Sequence, residues 1–315
     1  MSAHATLAID SRDLIGEAPV WDSAGKRLLW CDNGAGVIHQ AQLAGTGGWL
    51  EGRRWTLGRP IAAAIPRARG GLVVVGGVDV LLLDEAGRTT PFARIDADPT
   101  QVKFNEAKCD RHGRIWAGTR DHDFGVPGRQ ITPGRCALYR IDPSGVVETM
   151  LEGVSLSNGL DWSPDGRVFY FIDTYTRTIN AFDFDLDHGT LRNRRTLVMI
   201  ESGQGLPDGM TVDREGSLWV AIAGAGEIRQ YSPDGILLSR TEVATPTVTS
   251  CAFGGADGQD LFITSARVTL PAAALRSLTH GFNIERAESD SNPGAGGLFT
   301  LRPGPSGAPA TPFTG

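Results

Sequence analysis

Four cysteines in 315 residues are too few and too dispersed for a disulfide scaffold. Cys31, Cys109, Cys136 and Cys251 form no C-x-x-C pair, so no redox motif or thiolate zinc site is spelled out. Reduced thiols in a cytoplasmic protein are the expectation. No apolar run approaches the roughly 18 residues of a membrane-spanning helix. The opening MSAHATLAIDSRDL lacks the basic start and apolar stretch of a secretory signal. A basic excess is missing as well: 30 Lys and Arg stand against 36 Asp and Glu, a net charge of −6. That balance excludes an ordinary nucleic-acid-binding face, and no block of like charges marks a membrane patch. The six histidines (His4, His39, His112, His122, His188 and His280) make no H-E-x-x-H or other ligand spacing. There is no G-x-S-x-G elbow, no G-x-x-x-x-G-K-[ST] phosphate loop, and no G-x-G-x-x-G after a strand. Helical periodicity is nearly absent, apart from one short candidate helix over Leu270–Leu278.

What is present is glycine, 41 residues of it, and a repeat. The unit is a turn with Asp and Gly followed by a short apolar or aromatic strand. It reads DSAGKRLLW, RARGGLVVV, DRHGRIWAG, SPDGRVFYF, DREGSLWVA and GADGQDLFI. The aligned glycines are Gly25, Gly70, Gly113, Gly166, Gly216 and Gly258, separated by 45, 43, 53, 50 and 42 residues. That period fits a four-stranded propeller blade. Six units predict an all-β, six-bladed β-propeller occupying residues 1–315 as one domain. The last unit lacks a fourth strand, because its tail RPGPSGAPATPFTG is rich in Pro and Gly. The N-terminal run ATLAIDS is therefore expected to supply that strand and close the ring, leaving no open sheet edge. Trp21, Trp30, Trp116, Trp162 and Trp219 sit within repeats and read as blade core, as does Cys251.

Counting back eight residues from each repeat glycine gives Glu17, Ala62, Asn105, Asn158, Asp208 and Ser250. This position opens the innermost strand of each blade, so five oxygen-bearing side chains from distant parts of the chain should converge on the axial channel. A water-filled channel accounts for polarity alone, and Asn158-Gly159 and Asp208-Gly209 could be turns. Two carboxylates aimed at one point, however, repel unless a cation lies between them or one is protonated. Glu, Asp and Asn make a hard oxygen set suited to one divalent metal ion: Ca, Mg or Mn, with Zn tolerated.

The same residues carry a family resemblance. GEAPVWD (Gly16–Asp22), KFNEAKCD (Lys103–Asp110), RIWAGT (Arg114–Thr119) and SNGLDWSPDG (Ser157–Gly166) are similar to segments of the senescence marker protein/regucalcin/gluconolactonase family of metal-dependent lactonases. LPDGMTVD (Leu206–Asp213), GSLWVA (Gly216–Ala221), TSCAFGG (Thr249–Gly255) and FITSAR (Phe262–Arg267) extend the match. The resemblance implies a six-bladed propeller, metal ligands at Glu17, Asn158 and Asp208, and substrate contacts at Lys103, Asn105 and Asp123. Asn105 matches directly. Lys103 stands where many members have Arg, Asp123 where the regucalcin branch has Glu, Glu106 where Asp is commoner, and GEAPVW where GEGPVW is usual. These departures leave the metal positions intact and fall on the sugar contacts, since Lys cannot make the bidentate fork of Arg.

The expectation is a hydrolase: a gluconolactonase-like lactonase that opens a small-molecule sugar lactone to the aldonic acid. It would use one divalent ion (Ca, Zn, Mn, Mg or Fe), with Asp208 as catalytic general base. No nucleic-acid or membrane partner is expected, and a closed propeller can stand alone as a monomer. Two long connections, 119–135 and 267–295, follow second strands and return to the face that holds Glu17, where they could shape a lid. Three rivals remain open: a metal-dependent phosphotriester or other ester hydrolase on the same fold, a non-catalytic calcium-binding propeller, and a strictosidine-synthase-like condensing enzyme.

Overall fold

The repeat turn is where sequence first becomes structure. In the third unit Gly113 takes a left-handed conformation (φ 71°), which an L side chain rarely adopts. Around it the Asp110 carboxylate accepts hydrogen bonds from the backbone N–H of His112 and Arg114, and from Trp116 Nε1 at 2.9 Å. Asp213 does the same for Glu215, Ser217 and Trp219 Nε1 in the fifth unit. In these two units one Asp shapes the turn and ties it to a tryptophan buried in the next strand, which explains why Asp, Gly and Trp share the same offsets in both.

The structure is a computed structural model that describes residues 4–44, 48–126, 129, 131–270, 285–286, 292 and 294–315. Six four-stranded antiparallel sheets form six blades. Their inner strands are Gly16–Asp22, Ala63–Pro66, Val102–Cys109, Ser157–Trp162, Leu206–Val212 and Val248–Gly254. Blades 1 to 5 each add three further strands in sequence order. Blade 6 continues with Asp260–Ser265 and Leu298–Leu301 and is completed by the N-terminal Thr6–Ile9, which pairs Thr6 with Thr300 and Ile9 with Leu298. The ring is thus closed by the strand expected from ATLAIDS.

Each of the six seams between neighbouring blades holds one apolar cluster. In the closing seam Ile9, Phe262 and Leu298 meet Trp21, Leu28 and Trp30. The tryptophans singled out in the repeats are all buried, and the four cysteines are buried and unpaired. The Pro/Gly-rich tail crosses the ring at the turn end of the channel: Phe313 is fully buried and exchanges backbone hydrogen bonds with Pro66 and Ala68. The expected helix at Leu270–Leu278 lies, from residue 271 on, outside the described residues. Nearby, Val268–Thr269 pairs with Glu285–Arg286 as a two-stranded ribbon. No helix among the described residues is long and apolar enough to cross a membrane.

Candidate functional site

Five of the six inner strands break register where the polar residues occur. The ladder with the second strand shifts between Glu17 and Val20, Phe104 and Glu106, Ser157 and Leu160, Pro207 and Met210, and Val248 and Ser250. Such a bulge inserts an unpaired residue and re-aims side chains. Blade 2, which carries Ala62, pairs Ala63–Pro66 with no shift. The bulge and the polar residue therefore occur together.

Asn158-Gly159 and Asp208-Gly209 are not turns; both lie inside strands. Their glycines let inner strands approach. A Cβ on Gly159 would stand 2.7 Å from the Asp208 carbonyl oxygen, and one on Gly209 would collide with the Ser250 side chain. Ala18, where the resemblance leads one to expect glycine, holds φ 48° beside Glu17, a strained backbone for a residue with a Cβ.

Glu17, Asn105, Asn158 and Asp208 come together at the channel mouth. Asn105 Nδ2 donates to the Ser157 carbonyl at 2.8 Å and to Asn158 Oδ1 at 3.4 Å. Asn158 Nδ2 donates to Thr174 Oγ1 at 2.9 Å, and Thr174 Oγ1 donates to the Pro207 carbonyl at 2.7 Å. Thr174 thus orients the Asn158 amide and links blades 4 and 5. Burial raises the Glu17 carboxyl well above the usual range, and repulsion from Asp208 and Glu106 raises it further, against a smaller opposing pull from Arg120. Asp208 is raised by burial and by Glu106, opposed by hydrogen bonds from Asn158 and the Gly209 N–H.

Lys103 and Asp123 sit at the rim. Lys103 is half-buried, and burial together with Arg120 lowers its ammonium to about 8, while Asp123 acts to raise it. Ser250 is buried beside Gly209, and Ala62 offers no donor. The sequence reading left two residues outside the site. Glu106 is buried and pushed up to about 7 by desolvation. Arg120 is buried on blade 3's second strand, directly across the hairpin from Lys103. Along the chain Arg120 is marked only as one of two adjacent charges, Arg120 and Asp121, that end the strand IWAGTRD after an apolar start.

Below the mouth the channel widens into a cavity of about 310 Å³. Glu106, Lys108, Asp161 and Thr211 line it, and the tail residues Ala308–Thr311 wall its far side. Above the mouth, Phe124, Tyr175 and Leu270 pack onto Leu156, Leu206 and Ala223. Phe124 and Leu270 come from the two long connections, so both reach this rim.

Among the described residues no three or more His, Cys, Asp and Glu side chains group as a metal cluster. The donor set here is two carboxylates and an amide. It fits a hard divalent cation on its chemistry: two buried carboxylates repel each other, and a cation between them removes the repulsion.

Residues 15–267 match the model of the SMP-30/Gluconolactonase/LRE-like region. Regucalcin from Danio rerio is 35% identical over 277 residues, covering 87% of this chain and 90% of that protein. The crystal structure of a calcium-binding protein, regucalcin, from Agrobacterium tumefaciens superposes with a TM-score of 0.84 at 24% identity, over 99% of this chain and 98% of that one. A gluconolactonase structure from Xanthomonas campestris follows at a TM-score of 0.71 and 23% identity, over 95% and 89%. The match spans the blades and the channel residues alike, and the chain belongs to the SMP-30/gluconolactonase/LRE-like family.

Proposed function

We propose that the protein is a divalent-metal-dependent hydrolase of sugar lactones, gluconolactonase-like in its chemistry. The observation that carries this reading is the convergence of Glu17, Asn158 and Asp208 from three blades. Two buried carboxylates there repel, and a third, Glu106, stands behind them. Glu17, Asn158 and Asp208 hold the ion, whose identity is open among Ca, Zn, Mn, Mg and Fe. Bound there, it supplies Lewis acidity toward the ester carbonyl and makes water acidic enough to deprotonate near neutral pH.

The remaining work belongs to the chain. Asp208 takes the proton from the attacking water. As the ring C–O bond breaks, that proton passes to the departing alkoxide, leaving a hydroxy acid. Asn105 and Lys103 donate, and Asp123 accepts, to fix the sugar hydroxyls. Thr174 keeps the Asn158 amide from rotating.

The test is a pH-indicator assay on a panel of neutral aldonolactones, with protein stripped by chelation and reloaded with single divalent ions. Turnover restored by an ion supports the reading and narrows both ion and sugar. Metal uptake with every lactone left at its spontaneous rate overturns it.

A further inference from the structure

Four arginines are buried among the described residues: Arg114, Arg120, Arg140 and Arg229. Three of them hold carboxylates. Arg114 Nε meets Asp110 at 2.7 Å, Arg140 meets Asp142 at 3.0 Å and Glu148 at 2.8 Å, and Arg229 meets Glu227 at 2.6 Å. Arg120 has no carboxylate of the described residues within ion-pair distance. Its Nη1 makes one long bond, 3.3 Å, to the Phe124 carbonyl, and its guanidinium lies 5.7 Å from the centre of the Phe124 ring. Its Nε is sealed off with no hydrogen-bond partner among the described residues. A charge taken out of water without a counterion is costly, and proteins leave one in place rarely.

The setting of Arg120 is the channel mouth. It pairs in register with Lys103, and it is close enough to Glu17 for each to influence the other's ionisation. Glu17 cannot be its counterion once it holds a divalent ion: two carboxylates and that ion sum to zero. Asp123 offsets Lys103 at the rim. Glu106, the third carboxylate, makes no ion pair with Arg120 and is held toward its neutral form by burial, so no side chain of the described residues neutralises Arg120 directly.

We propose that the substrate supplies the missing charge: the site selects lactones bearing a second, anionic group, a carboxylate or a phosphate, and Arg120 determines that specificity. The inference rests on the lactonase reading for its substrate class but not for its test. Arg120 acts on the bound ligand rather than on the scissile ester. It shares a hairpin rung with Lys103, so the anionic group lies at the blade 3 side of the mouth.

Binding is measured by titration calorimetry on metal-loaded protein with three compounds that need no turnover: D-gluconate, D-glucarate and 6-phospho-D-gluconate. The wild type is expected to bind at least one of the doubly acidic compounds tenfold or more tightly than gluconate. Tighter glucarate assigns a carboxylate and tighter phosphogluconate a phosphate. In Arg120→Met that advantage falls at least tenfold, and in Arg120→Lys part of it remains. Melting curves of both variants check folding, and the wild-type ranking stands even if Arg120→Met is lost. Equal binding of all three by the wild type overturns the proposal, as does an Arg120→Met protein that keeps the full advantage. If no lactone is hydrolysed but the advantage is present and depends on Arg120, the lactonase reading fails and the anion site stands.

Discussion

The two ends of the channel treat charge in opposite ways. At the turn end, Lys108 meets Asp161 at 2.8 Å, and Asp161 also accepts from Thr211 Oγ1 and the Val212 N–H. Arg114 and Asp110 close a pair at 2.7 Å beside it. At the mouth, Glu17, Asp208 and Arg120 make no ion pair within the described residues, nor does Glu106 between the mouth and the cavity that Lys108 and Asp161 line, and their ionisation is pushed away from ordinary values. A propeller built from six copies of one unit could have paired its charges at both ends. That these four groups are left unpaired among the described residues, while Arg135 and Asp121 pair a residue away, shows where stability was left incomplete, and such sites are where ligands complete the structure.

The sharpest way to break this contrast is Glu17→Gln. It should cut kcat/KM for a lactone by at least ~100-fold, because oriented ligands and their supports each carry such factors. Metal affinity, read by titration with the ion, should fall with it. The metal-free variant should nonetheless melt higher than metal-free wild type at pH 7, since one of two repelling buried charges is gone. Undiminished activity with metal retained would remove Glu17 from the site.

Next in size is the pH response of the chelated wild type. Glu106 ionises near 7 in the folded chain and near 4.5 when unfolded, so the folded state binds the extra proton. Stability from this group is then present at low pH and is lost as pH rises from about 4.5 to about 7, by up to about 3 kcal/mol. Glu17 and Asp208 shift in the same direction. Melting temperatures across that window should fall for wild type and flatten in Glu106→Gln. A flat wild-type profile would mean the mouth carboxylates are not strained.

The smallest effect belongs to the paired end. Lys108→Met removes the cation from Asp161, whose hydrogen bonds from Trp162, Thr211 and Val212 remain, and should cost about 2 kcal/mol. A melting point lowered by a few degrees, with metal affinity unchanged, keeps the two ends distinct. Loss of metal binding would merge them.

The fold was readable because the turn glycine recurs, left-handed at Gly70, Gly113, Gly166, Gly216 and Gly258, and in two units an Asp-to-Trp bond, Asp110 with Trp116 and Asp213 with Trp219, fixes the turn against the next strand. The inward position was readable because it keeps one offset from the turn glycine in every blade. What escaped depends on backbone irregularity and on pairing across strands. The shift between Phe104 and Glu106 breaks strict alternation, so Asn105 and Glu106, neighbours in sequence, both bear on one site. Arg120 acquires meaning only from the rung it shares with Lys103, which no spacing along the chain reveals. Asn158-Gly159 looked like a turn because close approach of two strands and a tight turn both call for glycine.

The N-terminal strand that closes the ring also sets a schedule. Thr6 pairs with Thr300, so the strand waits for a partner made 294 residues later. At about 5–20 residues per second, the ribosome leaves Thr6–Ile9 unpaired for roughly 15–60 s. Blades 1 to 5 can assemble on their own strands in that interval. The sixth cannot, and the seam holding Ile9, Trp21 and Trp30 stays open until Leu298–Leu301 has been made. The ring therefore acts as a completeness check, since a chain cut short before Leu298 has no strand for its own beginning to join.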